Sequence, residues 1–207
     1  MTAGTHQGAG IVQTGVANTA SVKAAFRRAG VELVSVETPG QVEALEFLIV
    51  PGVGAFKAGM DALHRNGLVG PLRTRIEQGR PTMLVCLGMQ LLCARSDESP
   101  GTEGLGIIDT RVTSFPEGVT TPQFGWNTVE PEGETRLLRD GYAYFANSYR
   151  IEHPPDGWRY ALTDHGGTFV SALERGSILA VQFHPELSGA YGQSLIERWL
   201  AREVSDR

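Results

Sequence analysis

Three widely separated stretches of this sequence carry side chains able to do chemistry. The first is Pro81-Thr82-Met83-Leu84-Val85-Cys86-Leu87-Gly88-Met89-Gln90-Leu91-Leu92-Cys93. Thr82 to Val85 is an apolar run of the kind that fills a buried parallel strand, and Arg80-Pro81 punctuates its start. Met89 to Ala94 reads as the opening of a helix. A thiol at such a strand-to-helix turn is pushed out at the carboxyl edge of a sheet. The free N–H groups of the new helix then favour its thiolate and any oxyanion formed beside it. Cys86 is the candidate nucleophile. The competing reading is a buried cysteine acting as a small hydrophobe, and only partners elsewhere in the chain decide between the two.

Two stretches supply such partners. Pro51-Gly52-Val53-Gly54 follows an apolar run, and its glycines let backbone N–H groups approach a ligand or flip toward it. Val53 and Gly54, with the N–H of Leu87, are the candidate oxyanion donors. His184-Pro185-Glu186 ends the last apolar strand, where ligands gather in open α/β sheets. There Glu186 can orient the imidazole while His184 exchanges a proton with Cys86. His6, His64, His153 and His165 have no comparable partner, and no Cys/His pair has zinc-like spacing, so neither metal nor cofactor is expected.

These residues need a frame. Strands are expected at Ala9 to Gln13, Glu32 to Val36 and Leu45 to Val50, with a helix capped by Asn18 and running to about Arg28. Helices around Lys57–Arg65 and Leu68–Gln78 lead to the Cys86 turn. This alternation predicts an α/β fold, an open mostly parallel sheet with helices on both faces. After a polar surface loop at Arg95 to Gly104 the texture changes. Gly106–Thr113, Gly125–Glu130, Tyr142–Ala146, Arg159–Thr163 and Thr168–Leu173 form an additional antiparallel strand-rich region, before a strand at Ser177 to Phe183 and a closing helix at Ala190 to Arg202. Residues 1–8 read as a flexible tail and 9–207 as a single domain.

Composition narrows the class. A 41% hydrophobic and 20% charged chain of 207 residues suits one ordinary globular domain. A net charge of −5 gives no case for nucleic acid or an anionic membrane. No apolar run approaches the roughly 20 residues of a membrane span. Two cysteines argue against a disulfide framework, so a cytoplasmic location is expected. Cys93, placed two turns beyond Cys86 on the same helix, reads as core.

Taken together and in order, Pro51-Gly52-Val53-Gly54, Cys86-Leu87-Gly88-Met89-Gln90 and Phe183-His184-Pro185-Glu186 resemble the signatures of the class I glutamine amidotransferases. The likeness extends across nearly the whole chain. Thr14 to Asn18, Ser96 to Gly101, Leu105 to Ile108, Gly125-Trp126-Asn127, Tyr144-Phe145, Ser148-Tyr149 and Pro185 to Gly189 are similar to the glutaminase subunits of imidazole glycerol phosphate synthases. The resemblance implies a heterodimer with a β/α-barrel cyclase subunit of histidine biosynthesis, and glutamine as substrate. It implies attack of the Cys86 thiolate on the carboxamide, with His184 protonating the departing ammonia. It further implies that Gly52, Gln90, Ser148 and Tyr149 seat glutamine and that Asn18, Trp126 and Tyr144 lie near the cyclase. Trp126 as a core aromatic is the competing reading.

Five positions depart from the family pattern. Leu84 stands where glycine is usual, Gln123-Phe124 where His-Met is, Asn147 where histidine often is, and Leu187 where lysine often is. A side chain at Leu84 is expected to crowd the turn, so that Leu84→Gly is tolerated and raises activity. Two other readings stay open: a glutaminase for another ammonia acceptor, such as pyridoxal phosphate synthase, and a silent scaffold subunit.

Overall fold

The structure is a computed structural model that describes residues 8–14 and 19–201. Asn18 and most of the expected tail lie outside the described residues. The first half alternates strand and helix: β1 (Ala9–Val12), α1 (Thr19–Arg28), β2 (Leu33–Val36), α2 (Pro39–Ala44), β3 (Phe47–Gly52), α3 (Phe56–Arg65), α4 (Val69–Glu77), β4 (Thr82–Cys86) and α5 (Leu87–Gln90). The second half is strand-rich: β5 (Cys93–Ser96), β6 (Ile108–Ser114), β7 (Gln123–Glu132), β8 (Gly141–Asn147), β9 (Tyr149–Ile151), β10 (Arg159–Asp164), β11 (Thr168–Arg175) and β12 (Ile178–Val181). A 3-10 turn at Pro185–Leu187 and α6 (Gly189–Ala201) close the chain.

The main sheet runs β2-β1-β3-β4-β12-β11-β10-β7-β8. Its pairings from β2 through β12 are parallel, and those from β12 onward to β8 are antiparallel. Alternation along the parallel strands sends side chains to two cores. Ile49, Met83 and Val85 pack with Phe26 of α1 and Leu195 and Trp199 of α6. Leu48, Val50 and Leu84 pack with Met60 and Leu63 of α3 and Leu72 and Ile76 of α4. The helices therefore cover both faces, as a doubly buried parallel sheet requires. Beneath the start of β4, the fully buried Arg75 donates to the carbonyls of Val42, Leu45, Glu46 and Pro81, and so ties α4 to α2 and to the approach of β4.

One expectation fails just past Cys86. The helix predicted over Met89 to Ala94 is a single turn, Leu87–Gln90, and Cys93 begins β5. The carbonyls of Leu91, Leu92 and Cys93 accept from Leu105, from Ile107 and Ile108, and from Gly106. Fully buried Leu91, Leu92 and Cys93 are captured by that segment, and tertiary pairing overrides their helix propensity. One turn supplies individual N–H groups to the site but not the dipole of a full helix. Sequence reading also missed the short α2 and β9, which lack clear periodicity.

Candidate active site

Cys86 ends β4 with φ 54° and ψ −111°, and among the described residues it is the only non-glycine with a positive φ. Such a backbone costs about 1–3 kcal/mol and persists only where its surroundings hold it. Here β4 lies between β3 and β12, and the Gly52↔Cys86 pairing carries the ladder up to the turn itself. Gly88 brings α5 hard against β3, where a Cβ would collide with the Val50 carbonyl oxygen. The sharp turn thus follows from the central strand and from the absence of a side chain at position 88.

His184 arrives from the neighbouring strand end. Its Nδ1 lies 2.9 Å from Glu186 Oε1, a pair almost wholly out of solvent. With Nδ1 donating to the carboxylate, Nε2 is the nitrogen left for the thiol. Burial works against the imidazolium, but hydrogen bonds to Cys86 and Glu186 outweigh it and push the His184 pKa up to about 10. Ser188, fully buried, donates to the His184 carbonyl at 2.6 Å and accepts from the Tyr144 N–H at 2.9 Å, and the His184 N–H donates to the Tyr144 carbonyl. The base is therefore pinned to β8.

A stability prediction follows from that shift. The folded pKa of about 10 lies above the roughly 6.5 of an unfolded histidine. The charge on His184 therefore contributes stability that is fully present below about pH 6.5 and lost as pH rises through about 10. Urea midpoints of wild type and His184→Gln, compared from about pH 6 to about pH 10, are expected to converge as pH rises. A gap that stays constant excludes the charge as its cause.

The loop Pro51 to Gly54 is held at both ends. Thr14 Oγ1 donates to the Pro51 carbonyl at 2.8 Å, and Glu98 Oε2 accepts from the Phe56 N–H at 2.6 Å where α3 begins. Between the anchors Gly54 has φ +92° and no atom near the place a Cβ would take, so its peptide has room to turn. Val53, Gly54, Cys86, Leu87, Gln90, Ser148, Tyr149 and His184 all line one cleft of about 480 Å³. Glu186 stands behind His184. Gly52 does not line the cleft; it lies buried as the last residue of β3.

On the outside of β7 and β8, strand alternation puts Phe124, Trp126, Tyr142 and Tyr144 on one face, with Trp126 directly opposite Tyr144. Trp126 is 58% and Phe124 70% exposed, and Leu187 is exposed nearby in sequence to His184. Trp126 meets Tyr144 edge to face with ring centroids 6.2 Å apart. The exposure removes the core reading of Trp126. Phe124 belongs both to this face and to the cleft lining, so the aromatic surface reaches the mouth of the site.

A model of the family described as glutamine amidotransferase class-I matches residues 11–202. The chain belongs to this family. It is 42% identical over 200 residues to imidazole glycerol phosphate synthase subunit HisH of Symbiobacterium thermophilum, covering 95% of this chain and 94% of that protein. It is 39% identical to the HisH subunit of Escherichia coli, covering 92% and 97%. The chloroplastic imidazole glycerol phosphate synthase hisHF of Arabidopsis thaliana is 37% identical over 92% of this chain but only 33% of that protein. Among solved structures, a glutamine amidotransferase superposes with a TM-score of 0.75 at 23% identity, covering 94% of this chain and 97% of that one. The glutaminase domain of Trypanosoma brucei CTPS with bound acivicin gives a TM-score of 0.69 at 16% identity, covering 94% and 92%. These two structures share the fold.

In this amidotransferase two polar residues of the site escaped sequence reading. Glu98 lines the cleft, although its polar surroundings read as an ordinary surface loop. Gln182 lies one residue beyond β12 and is fully buried, with Nε2 3.6 Å from Cys86 Sγ. The available signal was a single glutamine interrupting the apolar run from Ile178 to Phe183. Among the described residues no group of three or more His, Cys, Asp or Glu side chains is placed to hold a metal ion, and no helix is long and apolar enough to cross a membrane.

Proposed function

We propose that this protein is the glutaminase subunit of imidazole glycerol phosphate synthase, a single amidotransferase domain acting in the cytoplasm. The observation that carries the chemistry is the strained Cys86 turn, in one cleft with His184 and backed by Glu186. The Cys86 thiolate adds to the carboxamide carbon of glutamine, and the negative charge moves to the carbonyl oxygen. The N–H groups of Leu87 and of the Val53–Gly54 stretch are the donors offered to that oxygen. Losing one such donor typically costs about 10²–10³ in rate. The imidazolium of His184 then protonates the amide nitrogen, the C–N bond breaks and ammonia leaves a glutamyl thioester. Water attacks the thioester with His184 as base, releasing glutamate and restoring the thiolate.

The rest of the cleft fits an amino-acid substrate. Glu98 offers a carboxylate to the α-ammonium group, while Gln90 and the main chain at Ser148 and Tyr149 supply polar contacts to the far end of the molecule. Gly52 acts beneath the turn rather than on the substrate.

The relatives' names point to the acceptor of the ammonia. The exposed face of Phe124, Trp126, Tyr142 and Tyr144 fits docking of a barrel cyclase, with Asn18 as a further contact. A glutaminase that serves a synthase gains from staying idle until its acceptor is loaded, because ammonia released early is lost to solvent. The Gly54 peptide, at a glycine with φ +92° and open space beside it, is a physical means of gating, since a flip there would offer or withdraw an oxyanion donor.

Glutamate release is expected to be slow with glutamine alone, and at least about tenfold faster once cyclase and its ribonucleotide substrate are present. Equal rates in a complex confirmed by gel filtration would sink the gating. Failure to form a complex would point to a different acceptor enzyme.

A further inference from the structure

The sulfur of Cys86 has a second polar neighbour besides His184. Val181 pairs with Val85, so the next residues on the two adjacent strands, Gln182 and Cys86, stand side by side. The Gln182 backbone N–H donates to the Ser171 carbonyl at 2.8 Å, which fixes the chain at this point. Its carboxamide is fully buried between Cys86 and Gln90.

The orientation of that carboxamide is dictated from a distance. The Tyr149 carbonyl can only accept, and it faces the carboxamides of Gln90 at 3.2 Å and Asn147 at 3.1 Å. Gln90 must therefore turn its NH₂ end to Tyr149. The second N–H of that group then faces Gln182 and requires an acceptor, which is Gln182 Oε1 at 2.9 Å. With its oxygen engaged, Gln182 can present only its NH₂ to the sulfur, at 3.6 Å, within reach of a sulfur acceptor. A backbone carbonyl thus sets two side-chain amides in sequence and aims an N–H at the nucleophile. If Gln182 were reversed, two N–H groups would face each other and a carbonyl oxygen would face the thiolate.

We propose that Gln182 is a further catalytic residue, a buried hydrogen-bond donor that stabilises the Cys86 thiolate, held in its working orientation by a Tyr149–Gln90–Gln182 relay. A fixed N–H aimed at an anion in a dry site favours the charged form and needs no reorganisation during reaction. The titratable groups around the sulfur are His184, backed by Glu186 from the strand end, and Glu98 across the cleft. Gln182 adds a donor that does not titrate. The relay also links the nucleophile to the glutamine-seating side of the cleft, because Gln90 and Tyr149 line it. This role rests on Cys86 being the nucleophile of the proposed reaction.

The test reads the thiol without glutamine. Wild type, Gln182→Met and Gln182→Glu are alkylated with iodoacetamide across a pH series, and the adduct is assigned to Cys86 or Cys93 by mass spectrometry. In wild type, alkylation should fall on Cys86. Gln182→Met keeps the volume and removes the donor. It is expected to slow Cys86 alkylation at neutral pH about tenfold, with recovery at higher pH, and to lower kcat with little change in KM. Gln182→Glu sets a carboxylate beside the thiolate and should be slower still. If both profiles superimpose on wild type, Gln182 has a structural role only and the proposal fails, whatever happens to kcat.

Should Gln182→Met not fold, Gln90→Leu releases the Gln182 oxygen and is expected to slow alkylation in the same direction by a smaller factor. An unchanged profile there also overturns the relay. A wild-type Cys86 that reacts no faster than an ordinary thiol, with no glutamate released, would instead remove the nucleophile on which the role rests.

Discussion

Cys86→Ser and Cys86→Ala will release glutamate from glutamine at a rate at least about 10⁴-fold below wild type while keeping the fold. Groups that act as a unit fail together, so loss of the nucleophile alone removes most of the catalysis that Cys86, His184 and Glu186 provide. Serine retains the shape, but its hydroxyl is a far weaker nucleophile beside a histidine arranged for a thiol. Neither substitution enlarges the backbone conflict at φ 54°, because alanine and serine meet the same Cβ constraint there that cysteine does. The backbone therefore adds no cost, and any change in urea midpoint is expected to come from the lost Cys86 contact to His184.

A glutamine analogue carrying an electrophile supplies an independent readout. It should label Cys86 and spare Cys93, which is completely buried in an apolar setting that pushes its thiol pKa well up. A main adduct on Cys93 would overturn the assignment, as would substantial glutamate release by the alanine variant.

Leu84→Gly will cost about 2.5–6 kcal/mol of stability, a cavity contribution of about 2–5 plus about 0.5–1 for glycine in a strand. This reverses the expectation from sequence, in which a side chain at this position crowds the turn. Leu84 is fully buried in the core shared with Val50, Leu87 and Ala180. Its Cβ stands 3.6 Å from where a Cβ on Gly88 would lie, an ordinary van der Waals distance. The side chain fills space beneath α5 instead of distorting it. Removing it leaves a void under the Cys86 turn, which is held at positive φ, so activity is expected to fall as well.

Domains of this kind have only about 5–15 kcal/mol in hand, so the variant should show a sharply lowered urea midpoint or fail to accumulate folded. A Leu84→Gly protein with wild-type stability and raised glutaminase activity would restore the crowding explanation. Leu84→Met, which keeps the volume, is expected to lose less than about 1.5 kcal/mol and separates packing from any requirement for leucine itself.

The amino-acid sequence by itself determined the features that depend on local pattern. The apolar runs of β3, β4 and β12 are too long and too continuous to be half-exposed, so a doubly covered parallel sheet follows from them. The residues that end or closely follow those strands, Gly52-Val53-Gly54, Cys86 and His184, share one edge of that sheet, and this makes the site legible in the sequence alone. His184 and Glu186 sit so close in sequence that only a turn had to be supplied for them to meet.

The tertiary structure decided what depends on segments distant in the chain. Nothing in Met89 to Ala94 forbids a longer helix; the pairing of Leu91, Leu92 and Cys93 with the 105–108 segment ends it after one turn. Trp126 is apolar in either setting, and only the outer position of β7 and β8 in the sheet left that face uncovered. The sequence neighbours of Leu84 suggest crowding, whereas its fit depends on α3, α4 and β3. Gln182 matters because a carbonyl on Tyr149 and an amide on Gln90, far from it along the chain, set which end of its side chain faces the sulfur. Local pattern places strands and strand ends, because those follow from short-range sterics and burial. Which donor faces which acceptor inside a closed core is settled only when the distant segments have packed together.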